Sequence, residues 1–166
     1  MAIRKALEDD CRSIRRVAET TWHHTYEGII PLGIQERFLK EAYSDGSLEK
    51  RIGASLFLVA EENGEVAGFA NFSGVDEGYS ANLYAIYVLP AFQGRKIGSA
   101  LLEEGMRNYA GLQSLTVDVE KENRAGLHFY KAKGFQKIKE FTEDLYGHSL
   151  QTVRMKRTLI DGKDGQ

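Results

Sequence analysis

Residues 79–103 read YSANLYAIYVLPAFQGRKIGSALLE. The first part, Tyr79 to Leu89, is rich in β-forming residues and is stopped by Pro90, which has no N–H to give to a ladder. A short loop, Ala91 to Lys96, leads into Ile97 to Ala110, where Ile97, Leu101, Leu102, Met106 and Tyr109 share a broad apolar side of a helix. Ser114 to Glu120 follows as a strand, with Leu115, Val117 and Val119 alternating onto one face. The unit is therefore strand, loop, helix, strand. Its loop directs several free backbone N–H groups at the helix start to one point, where unpaired donors and the helix dipole favour an anion. Arg95 and Lys96 add positive charge. The spacing after Gly94 is not that of a mononucleotide loop, G-x-x-x-x-G-K-[ST], and lacks its lysine-hydroxyl pair. A dinucleotide fingerprint, with glycines at 1, 3 and 6 opening a parallel unit, fits no better. On these residues alone, a phosphate cradle and a plain glycine-capped turn are both open.

Working outward, Asn63-Gly64 stands between the apolar runs Ser55 to Glu61 and Glu65 to Ser73, the pattern of a tight antiparallel hairpin. Ala2 to Leu7 reads as an edge strand. The acidic Glu8, Asp9 and Asp10 suit the positive end of a helix running to about Trp22, with Ile14, Val17, Ala18 and Thr21 at helical spacing. Thr21 to Pro31, TWHHTYEGIIP, mixes aromatics, two histidines and Glu27 with Gly28 and Pro31, and is predicted to be a structured loop. Leu32 to about Gly53 resumes as helix in two pieces, broken near Ser44 to Gly46. Downstream, Asn123 to Lys133 is a helix with Asn123 as N-cap and Gly134 at its stop. Phe135 to Glu143 and His148 to Arg157 are the last strands. One domain is expected over residues 1–160, with a polar tail at 161–166.

The composition narrows the function classes. With 42% hydrophobic and 28% charged residues the chain can bury a core. Its 22 basic and 24 acidic side chains leave a formal charge of −2, so no global field gathers phosphate backbones or anionic lipid. Neither nucleic acid nor membrane is an expected partner. The single cysteine, Cys11, excludes an internal disulfide and a multi-cysteine metal cage, and reads as a small buried hydrophobe. His128 and His148 have no metal-ligand spacing, so no metal is expected. The start MAIRKALEDDC lacks the apolar stretch of a signal peptide, and the expected compartment is the cytoplasm. Monomer and homodimer are both open.

Gln93-Gly94-Arg95-Lys96-Ile97-Gly98 resembles the Q/R-x-x-G-x-G/A loop of the GNAT superfamily of N-acetyltransferases. The stretch from Glu122 through Asn123, Phe129, Tyr130 and Gly134 to Phe135 is similar to that family's E-N-x-x-A-x-x-F-Y-x-x-x-G-F segment, in the right order with a helix and a strand between. Two departures stand out: Lys96 takes the place of the first glycine, and Gly126 that of the alanine. If the Lys96 position needs positive φ, the lysine costs on the order of 1 kcal/mol.

The resemblance implies a mixed α/β fold. Its sheet would have six to seven strands, mostly antiparallel, with a splayed central parallel pair, flanked by about four helices. It implies acetyl-coenzyme A as co-substrate, held by Ile86, Tyr87 and Val88 at the strand end, by Gln93, Gly94, Arg95, Lys96, Ile97, Gly98 and Ser99 in the loop and helix start, and by Asn123, Phe129 and Lys133. The Val88 amide would donate to the thioester oxygen, and Tyr130 would be the acid that protonates the leaving thiolate. Without the resemblance, Tyr130 and Phe129 read as core aromatics.

An amine acceptor with a pKa near 10.4 must lose a proton before it attacks, at roughly 4 to 5 kcal/mol near neutral pH. Asn82 and Tyr84 stand where many relatives place a glutamate, so the candidates for the base are Glu27, His23, His24, Asp76 and Glu77, or a water chain. The order of the segments also looks like the bacterial spermidine/spermine branch. Glu27, Asp76, Glu77, Glu143 and Asp144 are candidate acidic walls for a small amine or polyamine. A protein N-terminus or lysine is the alternative acceptor, and a non-catalytic acetyl-coenzyme A sensor is the rival from another class.

Overall fold

Asn63 and Gly64 both take left-handed backbone angles, φ 55° and 76°, and close the hairpin their pairing predicts. That hairpin belongs to a computed structural model that describes residues 1–159; the polar tail expected at 161–166 lies outside the described residues. In chain order the elements are β1 (Ala2–Lys5), α1 (Cys11–Tyr26), α2 (Leu32–Ala42), α3 (Asp45–Ala54), β2 (Leu56–Glu62), β3 (Glu65–Phe72) and β4 (Ser80–Val88). They continue with α4 (Ile97–Arg107), β5 (Ser114–Glu120), α5 (Arg124–Ala132), β6 (Gln136–Leu145) and β7 (His148–Thr158). The strands form one seven-stranded sheet in the order β1-β2-β3-β4-β5-β7-β6. Every neighbouring pair is antiparallel except β4 and β5. This is the mixed sheet with a central parallel pair, flanked by five α-helices rather than about four.

One prediction fails locally. Thr21 to Tyr26 is not loop but the last part of α1. Ala18, Trp22 and Tyr26 continue the spacing of the buried face, and Trp22 stacks on Phe38 of α2 at 4.3 Å between ring centres. Tertiary burial thus carries the helix through residues of mediocre propensity. It ends where Gly28 takes φ 78°. The break between α2 and α3 falls where expected, with Ser44 capping α3 by accepting from the Ser47 amide at 3.2 Å.

The sheet divides the interior into two cores. Leu58, Ala70, Phe72, Leu83, Leu101, Leu102 and Leu115 pack beneath α4 and α5. Ile14, Val17, Trp22, Leu39, Leu48, Phe57 and Phe69 pack beneath α1, α2 and α3. β4 serves both, and changes face as it runs. Ala81 and Leu83 point to the α4 core, whereas Ala85 and Leu89 point to the α1 core. The parity changes because the register with β3 steps from Phe72↔Leu83 to Asn71↔Ala85, leaving Tyr84 as an extra residue in a β-bulge.

The α4 core tolerates no extra atom where the helix crosses β3. A Cβ placed on Gly105 would stand 2.0 Å from Cζ of Phe72, a ring with no exposed surface. Gly105→Ala is expected to cost about 2 kcal/mol or more through overpacking, lowering Tm by at least about 4 °C. Thermal unfolding monitored by circular dichroism checks this, and an unchanged Tm contradicts the packing.

Candidate active site

The bulge sits where the parallel pair comes apart. β4 and β5 pair from Ser80↔Ser114 to Leu83↔Val117 and no further. Beyond that point β4 stays on β3 and β5 stays on β7, so the two strands leave a slot between them. The Leu89 amide donates to the Ala67 carbonyl at 2.8 Å. By antiparallel alternation the Ile86 and Val88 amides then point away from β3, into the slot, where β5 offers no ladder partner.

The slot is a cavity of about 450 Å³ that holds most of the residues named from the sequence. Ile86, Tyr87, Val88, Gln93, Gly94, Lys96, Ile97, Gly98, Ser99, Asn123, Phe129 and Tyr130 all line it. Arg95 and Lys133 are not among its lining residues. The Arg95 guanidinium turns to Glu62 at 3.6 Å and lies over the Phe92 ring, while the Lys133 ammonium lies over Phe129 at 5.9 Å. Sequence reasoning missed Trp22 and Tyr26 of α1, which also line the slot. Successive steps of four, from Ala18 to Trp22 to Tyr26, are the available signal.

At the mouth, Gly94 takes φ 83° and Lys96 φ 62°, so the lysine does adopt the left-handed conformation that a glycine would take without strain. This turn aims the start of α4 at the slot. The first intrahelical bond is Ala100 N–H to Lys96 O at 3.0 Å, so the Ile97, Gly98 and Ser99 amides have no helical acceptor. A Cβ on Gly98 would come within 3.4 Å of the Phe129 ring and 3.8 Å of Ile86, filling the passage between α4 and α5. These features fit a pyrophosphate at the helix start and a thin chain running inward. The slot wall also holds an orphan: the Thr21 hydroxyl is buried without a protein partner.

Asn123 caps α5, its side chain accepting from the Gly126 amide at 3.0 Å. The glycine at 126 has a steric reason, because a Cβ there would lie 2.7 Å from the Asn123 amide nitrogen. Tyr130 is 7% exposed and makes edge contacts with Phe129 and Phe135 at 5.1 and 5.3 Å. It is thus a core aromatic and a slot residue at once. Burial raises its hydroxyl pKa well above that of a free phenol, with a smaller contribution from Tyr87, so the group stays protonated at neutral pH. Tyr26, beside Asn123, is raised by burial in the same way. Tyr87 accepts from the Trp22 indole at 2.9 Å.

None of the acids and histidines named as candidate bases lines the slot. His23 faces Arg15, Glu19 and Glu36 on the outer side of α1, and Glu27 and His24 are exposed. Asp76 caps its own turn, accepting from the Gly78 and Ser80 amides at 2.8 and 3.0 Å. It and Glu77 lie before β4 begins, about 20 Å of strand from Ile86. A second cavity of about 860 Å³ opens past the end of β5, lined among others by Ile29, Glu120, His148 and Leu150. The β6–β7 hairpin bounds it and reaches across to α2, where Tyr146 bonds Glu41 and Arg37 stacks on the Tyr146 ring at 4.1 Å.

Gly98→Val is expected to leave the protein folded and to abolish the rise in Tm that acetyl-coenzyme A causes. Ligand at one hundred times its Kd adds about 2.7 kcal/mol to the native protein, worth roughly 5 to 11 °C at this size. Thermal shift with and without acetyl-coenzyme A reads it, and an undiminished shift in the variant places the ligand elsewhere.

The sequence pattern of the acetyltransferase (GNAT) family matches residues 5–135. The chain is 30% identical over 158 residues to the uncharacterized N-acetyltransferase YuaI of Bacillus subtilis (strain 168), covering 92% of this chain and 90% of that one. It is 30% identical over 142 residues to the spermidine N(1)-acetyltransferase of Thermoplasma acidophilum, covering 81% and 87%. Among solved structures, the PaiA N-acetyltransferase of Thermoplasma acidophilum in complex with coenzyme A superposes with a TM-score of 0.82 at 27% identity, covering 95% of this chain and 98% of that one. By sequence pattern, relatives and fold together, the chain belongs to the acetyltransferase (GNAT) family and is an acetyl-coenzyme A-dependent acyltransferase.

Proposed function

We propose that this enzyme transfers the acetyl group directly to the primary amine of a small cationic acceptor of the polyamine class. The observation that carries the reading is the slot itself: slot-facing strand amides, a helix start and a protonated phenol converge on one cavity. In this reading the amides of Ile97, Gly98 and Ser99 hold the pyrophosphate, and the Val88 amide donates to the thioester oxygen as negative charge develops there. The likeness to the Thermoplasma acidophilum spermidine acetyltransferase supports the acceptor class. So does the strap formed by the β6–β7 hairpin on α2, which narrows the acceptor side against a long peptide. Asp76 and Glu77 drop out as acidic walls, since they sit at the far end of β4. Glu143 does not line the second cavity and is held by the Thr152 hydroxyl, which donates to it at 2.7 Å.

Tyr130 acts on the leaving group. A free phenol is already a weaker acid than a thiol by about 1.5 pKa units, and burial widens that gap. The hydroxyl therefore stabilises the sulfur chiefly by donating a hydrogen bond as charge builds, and its proton passes late. Tyr130→Phe keeps the ring contacts and removes that donor, so kcat should fall on the order of 10²-fold with acetyl-coenzyme A affinity and Tm nearly unchanged. Saturating kcat beside calorimetric Kd measures both, and an unchanged kcat where chemistry limits turnover ends the assignment.

For the acceptor, kcat/KM is expected to be higher for spermidine than for a lysine-containing peptide at the same ionic strength. A clear peptide preference would replace the polyamine reading with a protein acceptor, and absence of free thiol release with every amine would leave a coenzyme-binding sensor.

A further inference from the structure

β5 alternates, so Leu115, Val117 and Val119 go to the α4 core while Thr116, Asp118 and Glu120 take the other face. That face carries two carboxylates, of which Asp118 lines the slot and Glu120 the larger cavity beside it. Asp118 is occupied: Arg154 donates to both of its oxygens at 2.8 and 3.0 Å. Glu120 is different. No cation forms an ion pair with it among the described residues. Its carboxylate is steadied instead by backbone donation, from the Glu122 amide at 2.7 Å and from Asn123.

Position makes this carboxylate useful. Glu120 lines the 860 Å³ cavity with Ile29 and His148, while its chain neighbour Val119, the nearby Asn123 and Tyr26 line the slot. The two cavities therefore meet along one strip, with the acid on the side away from the pyrophosphate cradle. Tyr26 and His148 are both close enough to interact electrostatically with Glu120. The other charges around it are Lys121 and Glu122 of its own segment. Lys121 is bonded to Glu140 of β6 at 3.0 Å, and Glu140 also takes Lys137 at 2.6 Å. Arg124, His128 and Lys131 of α5 line the far part of the same cavity.

We infer that Glu120 is the general base, taking the first proton from the acceptor ammonium as the amine enters the slot from the cavity beneath the β6–β7 hairpin. The inference rests on the acetyl-transfer reading above. The ammonium gives one proton to the carboxylate and becomes the neutral amine. Its nitrogen bonds the thioester carbon as the carbon–sulfur bond breaks. The second nitrogen proton ends on the sulfur by way of the Tyr130 hydroxyl, leaving amide and free thiol, and the proton on Glu120 leaves to solvent. Partial burial raises the Glu120 pKa from its ordinary value, the direction that favours a group that must accept a proton.

Glu120→Gln keeps the shape and an acceptor for the Glu122 amide. With spermidine as acceptor, kcat at neutral pH is expected to fall on the order of 10²-fold while Tm and acetyl-coenzyme A affinity hold. As pH rises from about 7 toward the amine pKa near 10, kcat/KM of the variant should climb about tenfold per unit and the deficit should shrink, because free amine arrives unaided. A deficit that is the same at every pH makes Glu120 a structural residue and overturns the inference. So does a raised KM with kcat intact, the signature of a residue that only anchors the cation. If the wild-type protein acetylates no amine while still binding acetyl-coenzyme A, the acetyl-transfer reading fails first and this assignment falls with it.

Discussion

One extra residue, Tyr84, sets the geometry on which the rest of the molecule depends. Inserted opposite the step from Asn71 to Phe72, it turns β4 over and coincides with the last parallel pair, Leu83 and Val117. A regular strand would have kept Ala85 and Tyr87 facing α4 and could have continued pairing with β5. The bulged strand instead delivers Tyr87 to the α1 side, where Trp22 bonds its hydroxyl. Ile86 and Val88 then pack toward the α4 core. The slot is thus a defect in the sheet that the two flanking cores hold open. Tyr84 itself is left 58% exposed, as expected of a residue that has lost its cross-strand partner.

The two cores divide the labour of the site. Beneath α4 and α5, Gly105 and Gly126 let a helix and a side chain approach closer than a Cβ would permit, which seats α4 on Phe72 and lets Asn123 fold back on its own helix, while Gly98 leaves the passage beside Phe129 open. Beneath α1 and α2, the aromatic stack of Trp22, Tyr26 and Phe38 builds the opposite wall. The hairpin that reaches from β6 and β7 to α2 closes that side without joining the sheet edge to another strand. The proposed coenzyme and acceptor surfaces come from opposite faces of one sheet and meet where the sheet is parted.

Features set by neighbours in sequence were legible before the structure. Asn63-Gly64 specifies its turn by backbone preference alone, and the loop from Gln93 to Gly98 announces a helix start after a strand. Thr21 to Tyr26 reads as loop in sequence because its helical state is decided by Phe38 and Tyr87, which are distant in sequence. Arg95 and Lys133 are expected at the cofactor by their place in a motif, but a motif says where a Cα goes and not that the Arg95 guanidinium lies by Glu62 and Phe92 and the Lys133 ammonium over Phe129. Glu120, the proposed base, is absent from the sequence candidates for a similar reason. The alternation of β5 shows that it opposes Leu115, Val117 and Val119, but only the folded chain shows that it lines the larger cavity beside the slot.

The central claim is that the parted strands leave backbone donors free for the thioester, and amide hydrogen exchange resolved along β4 tests it most directly. Without ligand, the Val88 amide should exchange far faster than the Leu89 amide, which is bonded to Ala67. With saturating acetyl-coenzyme A, the Val88 amide should become protected by tenfold or more relative to its ligand-free rate, because the thioester oxygen then accepts its hydrogen bond. Equal protection of Val88 and Leu89 in the free protein, or no change at Val88 on binding, would contradict the account.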